Sequence, residues 1–310
     1  MAWLEKAAGL YVTLILALTL RVLLNESAAP PPPPPPPVTC SWQRFGCSPG
    51  CVFRGKCVPR KPAPPPPPKE LSVSRADSLM KHRSIPHCLA AADIYEAAAA
   101  AAPSAAAAAP LRLRAAEALV CAMRRHTNGN LMVVEGTQDT PAFKQYWATH
   151  GPRALSNVRA AKAHLPPGFA LAATEMDAFL YANSAKGIVR QALTGAGNEY
   201  MRLAHVLAST YESYEGGVGH CYLGGFFAVA PWPLGNAHRA LAEMKAALQI
   251  EPNSRRNNYY VCLLLYQAGE KDAAAKQCQA ALKASCLGSE HDYCDFLTSQ
   301  VELVLALSRS

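Results

Sequence analysis

Residues 234–248 read LGNAHRALAEMKAAL, and residues 268–282 read AGEKDAAAKQCQAAL. Laid over one another, Gly235 and Gly269, Ala240 and Ala274, Ala247 and Ala281, and Leu248 and Leu282 coincide, each pair 34 positions apart. In both copies a glycine punctuates the chain and an amphipathic stretch follows whose small residues recur at helical spacing. A fixed period of this length marks an array of supersecondary units that bury their apolar faces against one another. The stretch therefore sets the expectation of paired helices.

The wider composition agrees. Half of the residues are hydrophobic and only 8% aromatic. Alanine supplies much of the apolar fraction, which favours closely packed helices over a sandwich of strands. No segment alternates polar and apolar residues for long enough to read as a strand, so the fold class is all-α. Helices are expected over 87–102, stopped by Pro103, and over 111–126, with basic residues in its last turn where they complement the helix dipole. Asp139 or Thr140 caps the next helix with Pro141 in its first turn. That helix is expected to end at Gly151-Pro152, with another over 153–165. Further helices are expected over 169–182, 198–212, 220–229, 236–250, 257–267, 272–285 and 290–308.

The N-terminal part is organised differently. Residues 7–24, AAGLYVTLILALTLRVLL, form an apolar run close to the minimum that crosses a bilayer, with Arg21 near one end. It reads as a signal-anchor, or as a signal peptide cleaved near Ser27, and residues 1–27 are assigned to it. A polyproline linker, 28–39, contains eight prolines in succession and spans roughly 25 Å as polyproline II. Cys40, Cys47, Cys51 and Cys57 fall within 18 residues and form a Cys-rich module, 40–57. So small a unit needs staples, and two disulfides serve, with three connectivities open. Zinc is the competing reading, although only Cys47 and Cys51 have the usual knuckle spacing. A Pro-rich basic linker, 58–70, leads to the helical domain, 71–310. Cysteine usage implies a lumenal or extracellular address for that domain, with the membrane as partner of the N-terminal helix, or else secretion.

Charge excludes one class of partner. The net charge of +8 is concentrated near the N-terminus, and from Leu71 onward 22 basic residues face 19 acidic ones. A near-balanced domain offers no basic face to a polyanion, and no nucleic-acid partner is expected. Catalytic readings find little support. His87-Cys88 and His220-Cys221 are neighbours about 100° apart on a helix, and Gly195-Ala196-Gly197 and Gly216-Gly217-Val218-Gly219 lack both the strand and the lysine of a phosphate-binding loop. No cofactor and no metal site is expected. Of the seven cysteines beyond residue 71, Cys262 and Cys278 stand where a disulfide is conceivable, and free buried thiols are the default.

The second helix of a tetratricopeptide (TPR) pair carries a small residue, a large one four later, a small one three after that, and often a proline five beyond. Ala240, Met244, Ala247 and Pro252 match, as do Ala154, Val158, Ala161 and Pro166, and Ala274, Cys278 and Ala281 with Cys286 in place of proline. Residues 152–310 thus resemble the TPR-like superfamily. The segments Glu215-Gly216-Gly217, Tyr222-Leu223-Gly224-Gly225-Phe226-Phe227 and Pro231-Trp232-Pro233 are similar to degenerate TPR domains of the TRAP-transporter T-component and of regulator-of-microtubule-dynamics proteins. The resemblance implies an α-solenoid of antiparallel helix pairs that binds rather than catalyses. It places Tyr222, Val229 and Trp232, with Arg256, Tyr259, Leu263 and Tyr266, on one concave groove. The expectation is a non-catalytic adaptor holding a protein or peptide segment, with a small-ligand carrier as the alternative and an enzyme third.

Overall fold

Eleven α-helices and no strand make up the described residues of the computed structural model, which are 72–187, 194–231 and 233–310. The all-α expectation holds. The apolar run 7–24, the proline linkers and Cys40, Cys47, Cys51 and Cys57 lie outside the described residues, as does Trp232. Among the described residues no helix is long and apolar enough to cross a membrane.

The helices are α1 (Val73–His82), α2 (Ile85–Ala100), α3 (Ala105–His126), α4 (Pro141–Lys162), α5 (Phe169–Ser184), α6 (Ala196–Thr210), α7 (Val218–Val229), α8 (Ala237–Ile250), α9 (Arg255–Gln267), α10 (Lys271–Lys283) and α11 (Cys294–Arg309). Local chemistry sets many of their starts. Ser84, Ser104, Thr140, Asn236 and Ser254 each accept a hydrogen bond from a backbone N–H three residues on, at the heads of α2, α3, α4, α8 and α9. Each such cap contributes about 1 kcal/mol. Each helix packs chiefly on the next in sequence, and α3 also touches α5 while α9 touches α11.

Two prolines expected to bound helices lie inside them instead. Pro110 sits within α3 and Pro152 within α4. An internal proline costs roughly 3 kcal/mol, and tertiary packing on both sides of Pro152 offsets it. Trp147 precedes it and Ala154, Val158 and Ala161 follow, all fully buried. Gly151 lies so close to α5 that an added Cβ would stand 2.7 Å from the backbone of Ala182. Breaking the helix there would undo that contact.

The residues of the repeated pattern lie in the core. Ala240, Met244 and Ala247 on α8, Ala274, Cys278 and Ala281 on α10, and Ala154, Val158 and Ala161 on α4 have no exposed surface. Small side chains at the ends of each triplet let the neighbouring helix approach, and the larger central one fills the space between. An added Cβ on Gly224 of α7, for instance, would meet the Ala240 carbonyl of α8 at 3.0 Å.

The expectation of free thiols in this domain is corrected. Cys88–Cys121, Cys262–Cys278 and Cys286–Cys294 lie at disulfide distance, with Cα separations of 6.1, 5.2 and 6.0 Å. The first pair joins α2 to α3 and the second α9 to α10. The third brackets the 3-10 turn Gly288–Asp292. Cys221, buried on α7, is the one left free.

Candidate functional site

A cavity of about 180 Å3 lies among α5, α6, α7, α9 and the turn before α11. Helical periodicity builds its walls. On α7 the residues Val218, Cys221, Tyr222, Gly225, Phe226 and Val229 fall on one stripe, and on α5 so do Asp177, Leu180, Tyr181 and Ser184. Arg256 and Tyr260, one turn apart, come from α9, and Gly197 and Tyr200 from α6. Arg124 enters from the last turn of α3, and Ser289 and Tyr293 from the turn before α11. The connection after α3 forms another side. Its Met132 lines the cavity, and the Met132 carbonyl accepts a hydrogen bond from the Tyr259 hydroxyl at 2.7 Å, tying this loop to α9.

Gly225 gives the cavity its room. A Cβ added there would meet no atom within 4 Å among the described residues, whereas one on Gly224 would stand 2.9 Å from Met244 Cε and one on Gly219 would stand 2.3 Å from Ala208 N. Three glycines on one helix thus do different things. Two admit neighbouring helices, and the third leaves space.

The polar lining is closely connected at one side. Arg124 donates to Asp177 through Nη2 and to Asp292 through Nη1 at 3.3 Å. The Tyr222 hydroxyl donates to the other oxygen of Asp177. Burial disfavours the Arg124 charge, but the carboxylates of Asp177, Glu215 and Asp292 outweigh that and hold it firmly ionised. Asp292, whose side chain is fully buried, also receives Arg83 at 2.6 Å and lies 3.1 Å from Arg125 Nε. This hub fixes the turn before α11 against the end of α3.

Arg256 is held differently. Only 4% exposed, it donates through Nη2 to the Glu215 carbonyl at 2.6 Å and through Nε to Asn257 Oδ1 at 3.4 Å. Its nearest carboxylate, Glu290, stands 3.8 Å away and is engaged by Ser254 Oγ and by the backbone N–H groups of Arg256 and Leu287. Glu215, Gly216 and Gly217 have φ of +45°, +66° and +83°, a succession that turns the Glu215 and Gly216 carbonyls towards Arg256 and Asn257. Glycine makes the left-handed region accessible at two of these positions.

Burial raises the pKa of Tyr181, Tyr200, Tyr222, Tyr260 and Tyr293, so their hydroxyls stay protonated. Burial likewise pushes the Cys221 thiol up, against the opposing pull of Arg256. The hydroxyls of Tyr181, Tyr260 and Tyr293 make no hydrogen bond among the described residues. Apolar groups take over towards the opening, where Pro231 and Leu234 are exposed. The cavity therefore offers donors at depth and apolar surface at its mouth.

Of the groove residues expected from sequence, Tyr222 and Arg256 meet on this wall, as does Val229. Tyr259 is fully buried in the core and Leu263 lies beside it. Tyr266 is half-buried and packs on the same core. Rotation of α9 separates the two tyrosines: from Arg256, the residue four on points about 40° to one side and the residue three on about 60° to the other. Tyr260 lines the cavity and Tyr259 does not, while Leu263, two turns along from Arg256, is buried in the core.

Sequence reasoning missed Arg124, Asp177, Tyr260, Tyr293 and Gly225. One signal was present: α5 reads FALAATEMDAFLYANS, and an acid amid so many apolar residues needs a buried partner. Among the described residues no cluster of histidine, cysteine, aspartate and glutamate is arranged to hold a metal ion. No protein-family model matches this chain, and a search of the curated proteins finds no match.

Proposed function

We propose that the chain is a non-catalytic, TPR-like helical solenoid that holds a small amphipathic ligand in the cavity between α5, α7 and α9. The observation that carries this reading is the combination of Gly225 facing open space with protonated tyrosine hydroxyls and a buried guanidinium on the same wall. A helix-interior glycine with room for a side chain costs about 1 kcal/mol relative to alanine, and retaining it favours an occupant of the cavity over a filled core. A cavity of about 180 Å3 is slightly larger than one of roughly 150 Å3 that takes benzene, so a single ring with a short polar arm fits.

A pocket that narrows between five helices favours the carrier reading over an adaptor that grips a chain along one face. The three cysteine pairs fit a lumenal or extracellular address. The apolar run 7–24 would then tether the domain to a membrane or direct its secretion.

The test is nuclear magnetic resonance of the full chain titrated with toluene, phenol and 3-phenylpropionate. Saturable shifts confined to Tyr222, Phe226 and Tyr260 are expected. No response up to millimolar concentration, or shifts spread over the outer helix faces, would refute the pocket.

A further inference from the structure

We infer that the ligand of this cavity is uncharged and carries a carbonyl oxygen, which accepts hydrogen bonds from the hydroxyls of Tyr260 and Tyr293. This rests on the pocket reading and adds the chemical class of the ligand. Charge excludes an ion. Around the inner end Arg83, Arg124 and Arg125 converge on Asp292, and Arg124 also meets Asp177. Arg256 lies 3.8 Å from the Glu290 carboxylate, and Glu215, which accepts from Ser289 Oγ, adds to its compensation. Four guanidinium groups thus face four carboxylates. An ionic ligand would give up its hydration and find every opposite charge already matched, and a charge buried without a counter-ion is expensive.

What remains unmatched is neutral. Tyr260 and Tyr293 line the cavity from α9 and from the turn before α11, and neither hydroxyl makes a hydrogen bond among the described residues. Neither is sealed in the packing as the Tyr146 hydroxyl is, so both open onto the cavity. The two stand close enough to act on one another: burial holds the Tyr260 hydroxyl protonated, and the neighbouring Tyr293 reinforces it. Tyr181 carries a third free hydroxyl, but its ring belongs to the core that α1 to α5 build. Two adjacent O–H donors match the two lone pairs of one carbonyl oxygen. A ligand N–H or O–H is less well served, because the Asp177 oxygens are engaged by Arg124 and Tyr222. At the other end Phe226, Val229 and Leu234 supply the apolar surface for the remainder of the molecule.

Calorimetry on the full chain compares four probes of similar shape. These are 4-phenyl-2-butanone, butylbenzene with a methylene in place of the carbonyl, 3-phenylpropionate, and 3-phenylpropylamine in its protonated form. The ketone is expected to bind at least tenfold tighter than either ion. Tyr260→Phe and Tyr293→Phe remove only hydroxyls that make no hydrogen bond among the described residues, so folding is spared. Each is expected to weaken ketone binding about fivefold, the worth of one neutral hydrogen bond, and to leave butylbenzene binding undiminished. An ion that binds as tightly as the ketone, ketone binding indifferent to both substitutions, or binding of butylbenzene alone overturns the neutral carbonyl ligand while leaving the pocket standing. Failure of every probe, butylbenzene included, overturns the pocket itself.

Discussion

Replacing Gly225 separates a functional void from a packing contact, because α7 carries its own control one residue away. At Gly225→Ala the new methyl meets no atom within 4 Å among the described residues. The helix interior then gains about 0.8–1.0 kcal/mol of propensity and reduced unfolded-state entropy. For a domain of this size each kcal/mol moves Tm by roughly 2–4 °C. Gly225→Leu adds three further carbons that project into the cavity and gain about 1–2 kcal/mol from apolar burial. At Gly224→Ala, by contrast, the methyl would stand 2.9 Å from Met244 Cε and 3.0 Å from the Ala240 carbonyl. Overpacking of that kind costs about 1–3 kcal/mol. Thermal and urea denaturation of the three variants, followed by circular dichroism, should therefore give two stabilised proteins and one destabilised. Titration with 4-phenyl-2-butanone should show at least a tenfold loss of affinity in Gly225→Leu. A destabilised Gly225→Ala would mean that position 225 is packed, and undiminished binding in Gly225→Leu would mean that the ligand sits elsewhere. Either result refutes the reasoning.

Three other outcomes follow from the structure. Asp292→Asn leaves Arg83, Arg124 and Arg125 around a neutral buried amide, and urea denaturation should register a loss of about 3–5 kcal/mol. Non-reducing peptide mapping should find Cys88 with Cys121, Cys262 with Cys278, and Cys286 with Cys294. On the chain-entropy scale, removing the first of these, which spans 33 residues, costs about 3–4 kcal/mol, against about 2–3 for the last, which spans 8. Burial raises the Glu117 carboxyl above its usual range, against the pull of Arg114. A raised carboxyl favours the folded state when protonated, so its contribution is complete below the unfolded pKa and disappears as pH rises through the folded one. Glu117→Gln should therefore raise Tm at pH 7 and leave it unchanged near pH 3, and the opposite pattern would show that Arg114 dominates.

The repeated helix was legible because its chemistry is local. Ala240, Ala247, Ala274 and Ala281 declare a small-residue face through spacing alone, and Thr140 announces a helix start within three residues. Pro152 misled for a related reason. The cost of an internal proline is local and visible, whereas the burial of Trp147 and Ala154 that offsets it depends on α5, which the linear text does not place. The site was legible only in part. Tyr222 and Arg256 stood out as an aromatic and a cation on helices of one array, but which of Tyr259 and Tyr260 faces the cavity turns on about 100° of helix rotation.

By itself, the sequence determined the all-α class, the main helix starts, the register of α8 and α10, and the presence of an odd cysteine in the helical domain. These follow from periodicity, capping and counting, which act over a few residues or none. Only the tertiary structure decided that Cys221 is that odd cysteine, and that the loop after α3 closes against α9 through Met132 and Tyr259. It also decided that Arg256 lies buried, donating to the Glu215 carbonyl with the Glu290 carboxylate 3.8 Å away. Each of these depends on groups far apart in the chain meeting at ångström distances, and helical periodicity sets the direction of a side chain but not the neighbour it finds.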